Sequence, residues 1–260
     1  MAGRVEVRRE GRLGWIVFDH PERRNALSLE MWRAIPDAVA LLERDADVRV
    51  LGLRGAGDAA FVSGADISQF EQARSGADAA DYDHTTSRAF EALVRCEKPV
   101  LALIHGFCVG GGCAVALTAD IRYAADDAIF AIPAARLGLG YGPPLLETLL
   151  GLVGPAFAKE IVFSARRFPA ADALRMGLVN AVFPKPELEA RVRALAEGIA
   201  ENAPLTLRSA KLVVRELARD PAARDTAAIT DSIRACYGSE DYQEGVRAFL
   251  EKRSPVFRGR

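Results

Sequence analysis

The 260-residue chain is poor in the groups on which metal and disulfide chemistry depend. It holds three histidines and four cysteines, and Cys96, Cys108, Cys113 and Cys236 form no C-x-x-C pair. A zinc site and a disulfide framework are therefore not expected, and no metal is assigned. Excess charge is also missing: a net charge of −1 leaves no basic field for nucleic acid or an anionic membrane surface. No apolar run approaches the ~20 residues needed to span a bilayer. The opening stretch "MAGRVEVRRE" is too charged for a secretory signal, and Glu6 and Glu10 speak against a mitochondrial address. The expectation is a cytoplasmic protein without membrane or nucleic-acid partners. Lysine is scarce, 5 against 29 arginines, which we read as coding bias except where an arginine stands beside a candidate site.

What is present suffices for a large core: 50% hydrophobic and 27% charged residues are ordinary for a globular domain. Alternating apolar residues predict strands at Trp15–Asp19, Val48–Arg54 and 100–104, two short strands around Asp126 and Asp127, and another at 178–183. Ser28 reads as the N-cap of a helix. Residues 71–97 read as loop then helix, 143–163 as helices after a Gly-Pro loop, and 169–176 as a short helix. From Pro186 to Phe249 the pattern is almost wholly helical, broken at Pro204 and Pro221. Strand-helix alternation followed by a helical tail predicts an α/β core over 1–195 and a C-terminal helical subdomain over 196–260.

One stretch raises a question of chemistry. In "KPVLALIHGFCVGGGCAVALTADIRYA" a strand ends at His105-Gly106, and Gly110, Gly111 and Gly112 then precede helical residues. A glycine costs a helix about 1 kcal/mol relative to alanine. Glycines at a helix start leave unpaired amides open to a ligand atom, a socket for an oxyanion or a phosphate. Close packing against a neighbour is the alternative. The P-loop is disfavoured because no Lys-Ser/Thr follows, and the dinucleotide fingerprint does not fit. A second glycine-bearing turn, "FVSGADI", can supply a second amide to the same oxygen, the geometry of an oxyanion hole.

The stretches "HPERRNALS", "FVSGADI", the glycine segment above, "ARRFPAADALRMGLVNAVF" and "SEDYQEGVRAFLEKRSPVF" together resemble the crotonase superfamily, the enoyl-CoA hydratase and isomerase group, in family order over nearly the whole chain. The resemblance implies a spiral of β-β-α turns, a C-terminal trimerisation region, a homotrimer or a homohexamer built from two trimers, and a CoA thioester as substrate with no separate cofactor. It assigns the two oxyanion amides to Ala65 and Gly111. Arg24, Asn25 and Ala26 match the segment that holds the CoA pyrophosphate and adenine. Ser63, Asp66 and Ile67 match the adenine pocket, with Arg23 or Arg24 available to phosphate. Lys252 matches a basic position that reaches the CoA of a neighbouring subunit.

The chain also departs from the pattern. Hydratases of the group carry two glutamates at the positions of Ala114 and Ala134, where methyl groups cannot hold a water or pass its proton. Weak hydration of crotonyl-CoA is expected. Tyr141 and Glu147 are the remaining titratable candidates, against the alternatives of a packing aromatic and a solvated helix carboxylate. Tyr141 matches a tyrosine of the methylmalonyl-CoA decarboxylase branch, but that branch carries a polar residue at position 65 and a glutamate at 114. A malonyl-type acyl-CoA decarboxylase and a non-catalytic acyl-CoA-binding protein are the competing functions. His105 reads as a core histidine, Cys108 and Cys113 as small core hydrophobes, and His20 and His84 have no supporting context.

Overall fold

In the computed structural model, residues 3–66 and 78–260 are described. Strands β1 (Arg4–Glu10) and β2 (Leu13–Asp19) make an antiparallel hairpin turning at Gly11, whose φ of 57° lies in the left-handed region. β1 is absent from the sequence expectation because its "RVEVRRE" is dominated by charge. As the edge strand it carries that charge to solvent, where Arg4 pairs with Asp19 and Arg8 with Glu6.

Helix α1 (Leu29–Arg44) starts where expected: Ser28 Oγ accepts from Met31 N at 3.2 Å. The chain then winds. β3 (Val50–Gly55) joins the larger sheet, β4 (Ala60–Val62) the smaller, and α2 (Asp78–Arg95) returns. β5 (Val100–Ile104), β6 (Phe107–Val109) and α3 (Gly111–Leu117) repeat the cycle. β7 (Ile121–Ala125), β8 (Ile129–Ala131) and α4 (Pro143–Ser164), preceded by a 3-10 turn at Pro133–Leu137, repeat it again. β9 (Phe168–Pro169), α5 (Ala170–Met176) and β10 (Ala181–Phe183) complete the sheets. The larger runs β1-β2-β3-β5-β7-β10 and the smaller β4-β6-β8-β9, parallel apart from β1/β2 and β8/β9. This is the expected α/β spiral of β-β-α turns. The last strand is shorter than predicted, because Gly177 (φ 81°) ends α5 in a left-handed turn that absorbs the residues before 181. The long helix α4 is interrupted at Gly154.

Parallel strands covered on both faces need apolar residues on both. Ile16 and Phe18 of β2 face the inter-sheet core with Leu51, Leu53 and Phe61, while Leu13, Trp15 and Val17 face α6 (Lys185–Ala200) through its Leu188, Val192 and Ala196. Asn25, fully buried with φ 58°, staples the loop after β2 to the next turn of the spiral. Its amide nitrogen donates to Ala56 O (3.0 Å) and Ala60 O (2.8 Å), and its carbonyl accepts from His20 N (3.0 Å). Asparagine tolerates left-handed backbone better than other side chains of its size.

Helices α7 (Pro204–Leu217), α8 (Thr226–Tyr237) and α9 (Glu240–Glu251) follow. The buried Asp241 carboxylate ties the terminal segment back by accepting from Arg258 N and Gly259 N, each at 2.7 Å. These helices leave Val214, Tyr237, Phe249 and Leu250 exposed along one groove.

Candidate active site

The three successive glycines have three different causes. Gly110 takes φ 53°, ψ −114°, a conformation closed to side chains. Gly112 sits so close to β4 that an added Cβ would lie 2.0 Å from Val62 O. Gly111, the first residue of α3, meets Trp32 and the Ala65 nitrogen at 3.3 and 3.4 Å from such a Cβ. Gly112 thus serves close packing, the alternative weighed from the sequence, and Gly111 stands close to the Ala65 nitrogen.

Residue 65 is fixed from the other side. Leu27 N donates to Gly64 O (2.8 Å) and Asp66 N to Leu27 O (2.9 Å), a one-residue parallel bridge between Leu27 and Ala65. Gly64, at φ 124°, makes the bend that precedes it. Among the described residues neither Ala65 N–H nor Gly111 N–H has an acceptor. A backbone nitrogen lies about 2.5 Å from its own Cβ, which with the 3.4 Å contact bounds the two nitrogens within about 6 Å. Two donors sharing one oxygen at ~2.9 Å each are at most about that far apart.

Both residues line a cavity of ≈ 850 Å³. Its lining includes Ala114, as the one-turn spacing from Gly111 anticipated, and Ala134, a position given by the resemblance, beside Pro133, Leu137 and Leu139. Tyr141 lines it, half-buried, from the loop before α4. Glu147 is exposed on α4 and is not part of that lining. The opposite wall is α2, whose Asp83, Thr86, Ser87, Phe90, Glu91 and Val94 follow at helical spacing. This wall escaped sequence analysis, although the i, i+3, i+4, i+7 stripe was there to be found. Trp32 joins the two sides: its ring packs edge-on to Phe90 at 5.2 Å, and among the described residues its buried Nε1 has no hydrogen-bond partner.

Of the residues matched to CoA, Ser63 stands in the lining of this cavity. Its hydroxyl donates to Arg23 O (3.0 Å), and its backbone N–H donates to Arg24 O (3.1 Å). Asp66 pairs with Arg23 at 3.2 Å, while the Arg24 guanidinium lies 4.6 Å from the centroid of Phe107. Ala26 is buried and offers only backbone. Lys252 is exposed, caps α9 at φ 54°, and lies away from the cavity lining. Ile67 falls outside the described residues. Beneath α3, Cys113 Sγ donates to Cys108 O (2.8 Å), and burial pushes the Cys108 thiol well above its ordinary range, so both behave as core groups.

Comparison with known proteins agrees with this architecture. The family described as Enoyl-CoA hydratase/isomerase matches residues 8–260. A crotonyl-CoA hydratase of Syntrophomonas wolfei is 35% identical over 253 residues, 97% of each chain. A peroxisomal Delta(3,5)-Delta(2,4)-dienoyl-CoA isomerase of Arabidopsis thaliana is 36% identical, covering 93% of this chain and 91% of that one. The crystal structure of an enoyl-CoA hydratase/carnithine racemase from Magnetospirillum magneticum superposes with a TM-score of 0.93 at 36% identity, over 98% of this chain and 96% of the other. With two glycine-built turns meeting at one cavity and a family match along nearly its whole length, the chain belongs to the enoyl-CoA hydratase/isomerase family of the crotonase superfamily.

Proposed function

We propose that the protein binds an acyl-CoA and holds the enolate of its thioester between Ala65 N–H and Gly111 N–H. The observation that carries this is the convergence of two unpartnered amides within about 6 Å at the wall of one cavity. Donors fixed in place before reaction stabilise charge that appears during it, and losing one such donor costs about 10²–10³ in turnover. The acyl group occupies the space between α2, Ala114, Ala134 and Tyr141, whose hydroxyl serves as a proton donor to the bound group. The nucleotide end lies against Arg24, Ala26, Ser63 and Asp66, and no cofactor is needed beyond the substrate's own CoA. Lys252 and the exposed face of residues 196–260 serve assembly into a trimer or hexamer, and Lys252 reaches the CoA of the adjoining copy.

Hydration is not the main reaction. It needs one group to take a proton from water and another to deliver one to carbon, and each positioned group is worth about 10²–10⁴-fold. Ala114 and Ala134 supply neither. Crotonyl-CoA hydration followed by absorbance is expected to be slow in the wild type and to rise by at least ~10² in Ala114→Glu/Ala134→Glu. Rapid wild-type hydration would overturn the assignment. Saturable acyl-CoA binding without turnover of any thioester would favour a binding protein instead.

A further inference from the structure

We infer that a basic cavity between the end of α2 and helices α7 and α8 is a second binding site, one that takes a phosphorylated small molecule of two or more negative charges. This site does not depend on the acyl-CoA function proposed above. The cavity has a volume of ≈ 630 Å³, within the range of small-molecule pockets. It shares only Val94 with the cavity beside the glycine turns, and none of Arg24, Ala26, Ser63 or Asp66 lines it.

The sequence "LRSAKLVVRELAR", residues 207–219, sets most of its charge. Arg208, Lys211, Arg215 and Arg219 follow at spacings of three and four, so one side of α7 and the turn after it carries them all. Arg208 and Arg215 stand two turns apart, about 10 Å along the axis. Arg95, at the end of α2, faces the same space, and Val94, Leu205, Leu212 and Ala235 give the lining an apolar part. The carboxylates among the lining residues are Glu97 and Glu216.

Neighbouring carboxylates do not use up these cations. Arg95 pairs with Glu91 at 2.8 Å and Arg208 with Glu97 at 3.0 Å, but all four side chains are exposed, and such pairs hold weakly. The Lys211 ammonium donates to Lys98 O (3.0 Å) and to Asp120 (2.8 Å), which occupies two of its three N–H donors. The buried Glu216 carboxylate is held by Arg219 at 2.8 Å and accepts from Asp225 N at 2.9 Å, while Arg215 comes only within 3.9 Å of it. Arg215 is therefore the cation left over once Glu91, Glu97, Asp120 and Glu216 each have a partner. A guanidinium presents parallel N–H donors that match phosphate oxygens. A diphosphate carries more charge than one carboxylate, so it can draw Arg208 and Arg215 toward each other across Lys211.

Calorimetry on the full chain at low salt, with inorganic pyrophosphate as the probe, tests the site. Wild type is expected to bind at one saturable site and to bind more weakly as salt is raised. Arg208→Gln and Arg215→Gln should each weaken binding by about tenfold, with Tm and butanoyl-CoA affinity unchanged. Arg215→Lys should recover part of the loss, since it restores the charge without the fork. Saturating butanoyl-CoA should leave pyrophosphate binding intact. Absence of saturable binding overturns the proposal, as does wild-type affinity in both glutamine variants. Displacement of pyrophosphate by butanoyl-CoA, or loss of both affinities together, also overturns it, because the probe would then occupy the other cavity. A chain that binds pyrophosphate but no acyl-CoA would keep this site and remove the function proposed above.

Discussion

At the scale of single residues, His105 shows how position decides chemistry. It ends β5, is 4% exposed, and its Nε2 has no hydrogen-bond partner. Burial, and then the positive charges of Arg54 and Lys185, push its pKa from the ordinary 6.5 down to about 4. The folded state therefore keeps His105 neutral while the unfolded chain protonates it. The stability it contributes is complete above pH 6.5 and is lost as pH falls toward 4. Thermal unfolding followed between those limits should show a smaller loss on acidification for His105→Gln than for wild type; parallel curves would contradict this. The core role of His105 was legible because it closes an apolar strand. The place of Ala114 was legible too, since one helical turn from Gly111 returns to the same side. The α2 wall was legible only in part: its stripe from 83 to 94 has helical spacing, but the spacing does not say that this side meets a glycine turn further along the chain.

Among elements, the close approach of α3 to β4 is the contact on which the amide pair depends. A methyl at residue 112 would be driven into Val62 O, a backbone atom that cannot swing aside. Gly112→Ala is expected to cost about 3 kcal/mol or more through overpacking, read as a fall of several degrees in Tm. The surviving folded protein should turn over poorly, because relief of the clash displaces Gly111 from Ala65. Normal turnover with normal Tm would show that α3 is free to back away. Most elements could be read from their apolar pattern, since β2, β3 and β5 are near-continuous buried runs and α6 buries Leu188, Val192, Ala196 and Ala200 at helical spacing. β1 could not: its charge masks a strand that forms by pairing with β2, which is a property of the hairpin and not of the strand alone. Nor could the division of strands between two sheets, because short strands such as β4 and β6 take their partners from the winding of the chain.

For the whole molecule, the exposed groove of Val214, Tyr237, Phe249 and Leu250 is large and apolar for a surface facing water, and in the proposed assembly it is the face on which copies of the chain meet. Phe249, 83% exposed, contributes nothing to the fold of one copy. Phe249→Asp should leave Tm of the isolated chain unchanged and lower the mass measured by light scattering; an unchanged mass would remove this face from the assembly. The spiral itself has one more consequence. Ala65 and Gly111 follow the ends of β4 and β6, which are hydrogen-bonded parallel neighbours. Adjacent strands stand about 4.8 Å apart whatever their side chains. The spacing of these two amides is thus set first by the strand ladder, and a change that shifts α3 on β4, such as Gly112→Ala, is what would alter it. On the proposed function, the side chains that the surrounding helices present to the cavity can change while that spacing stays.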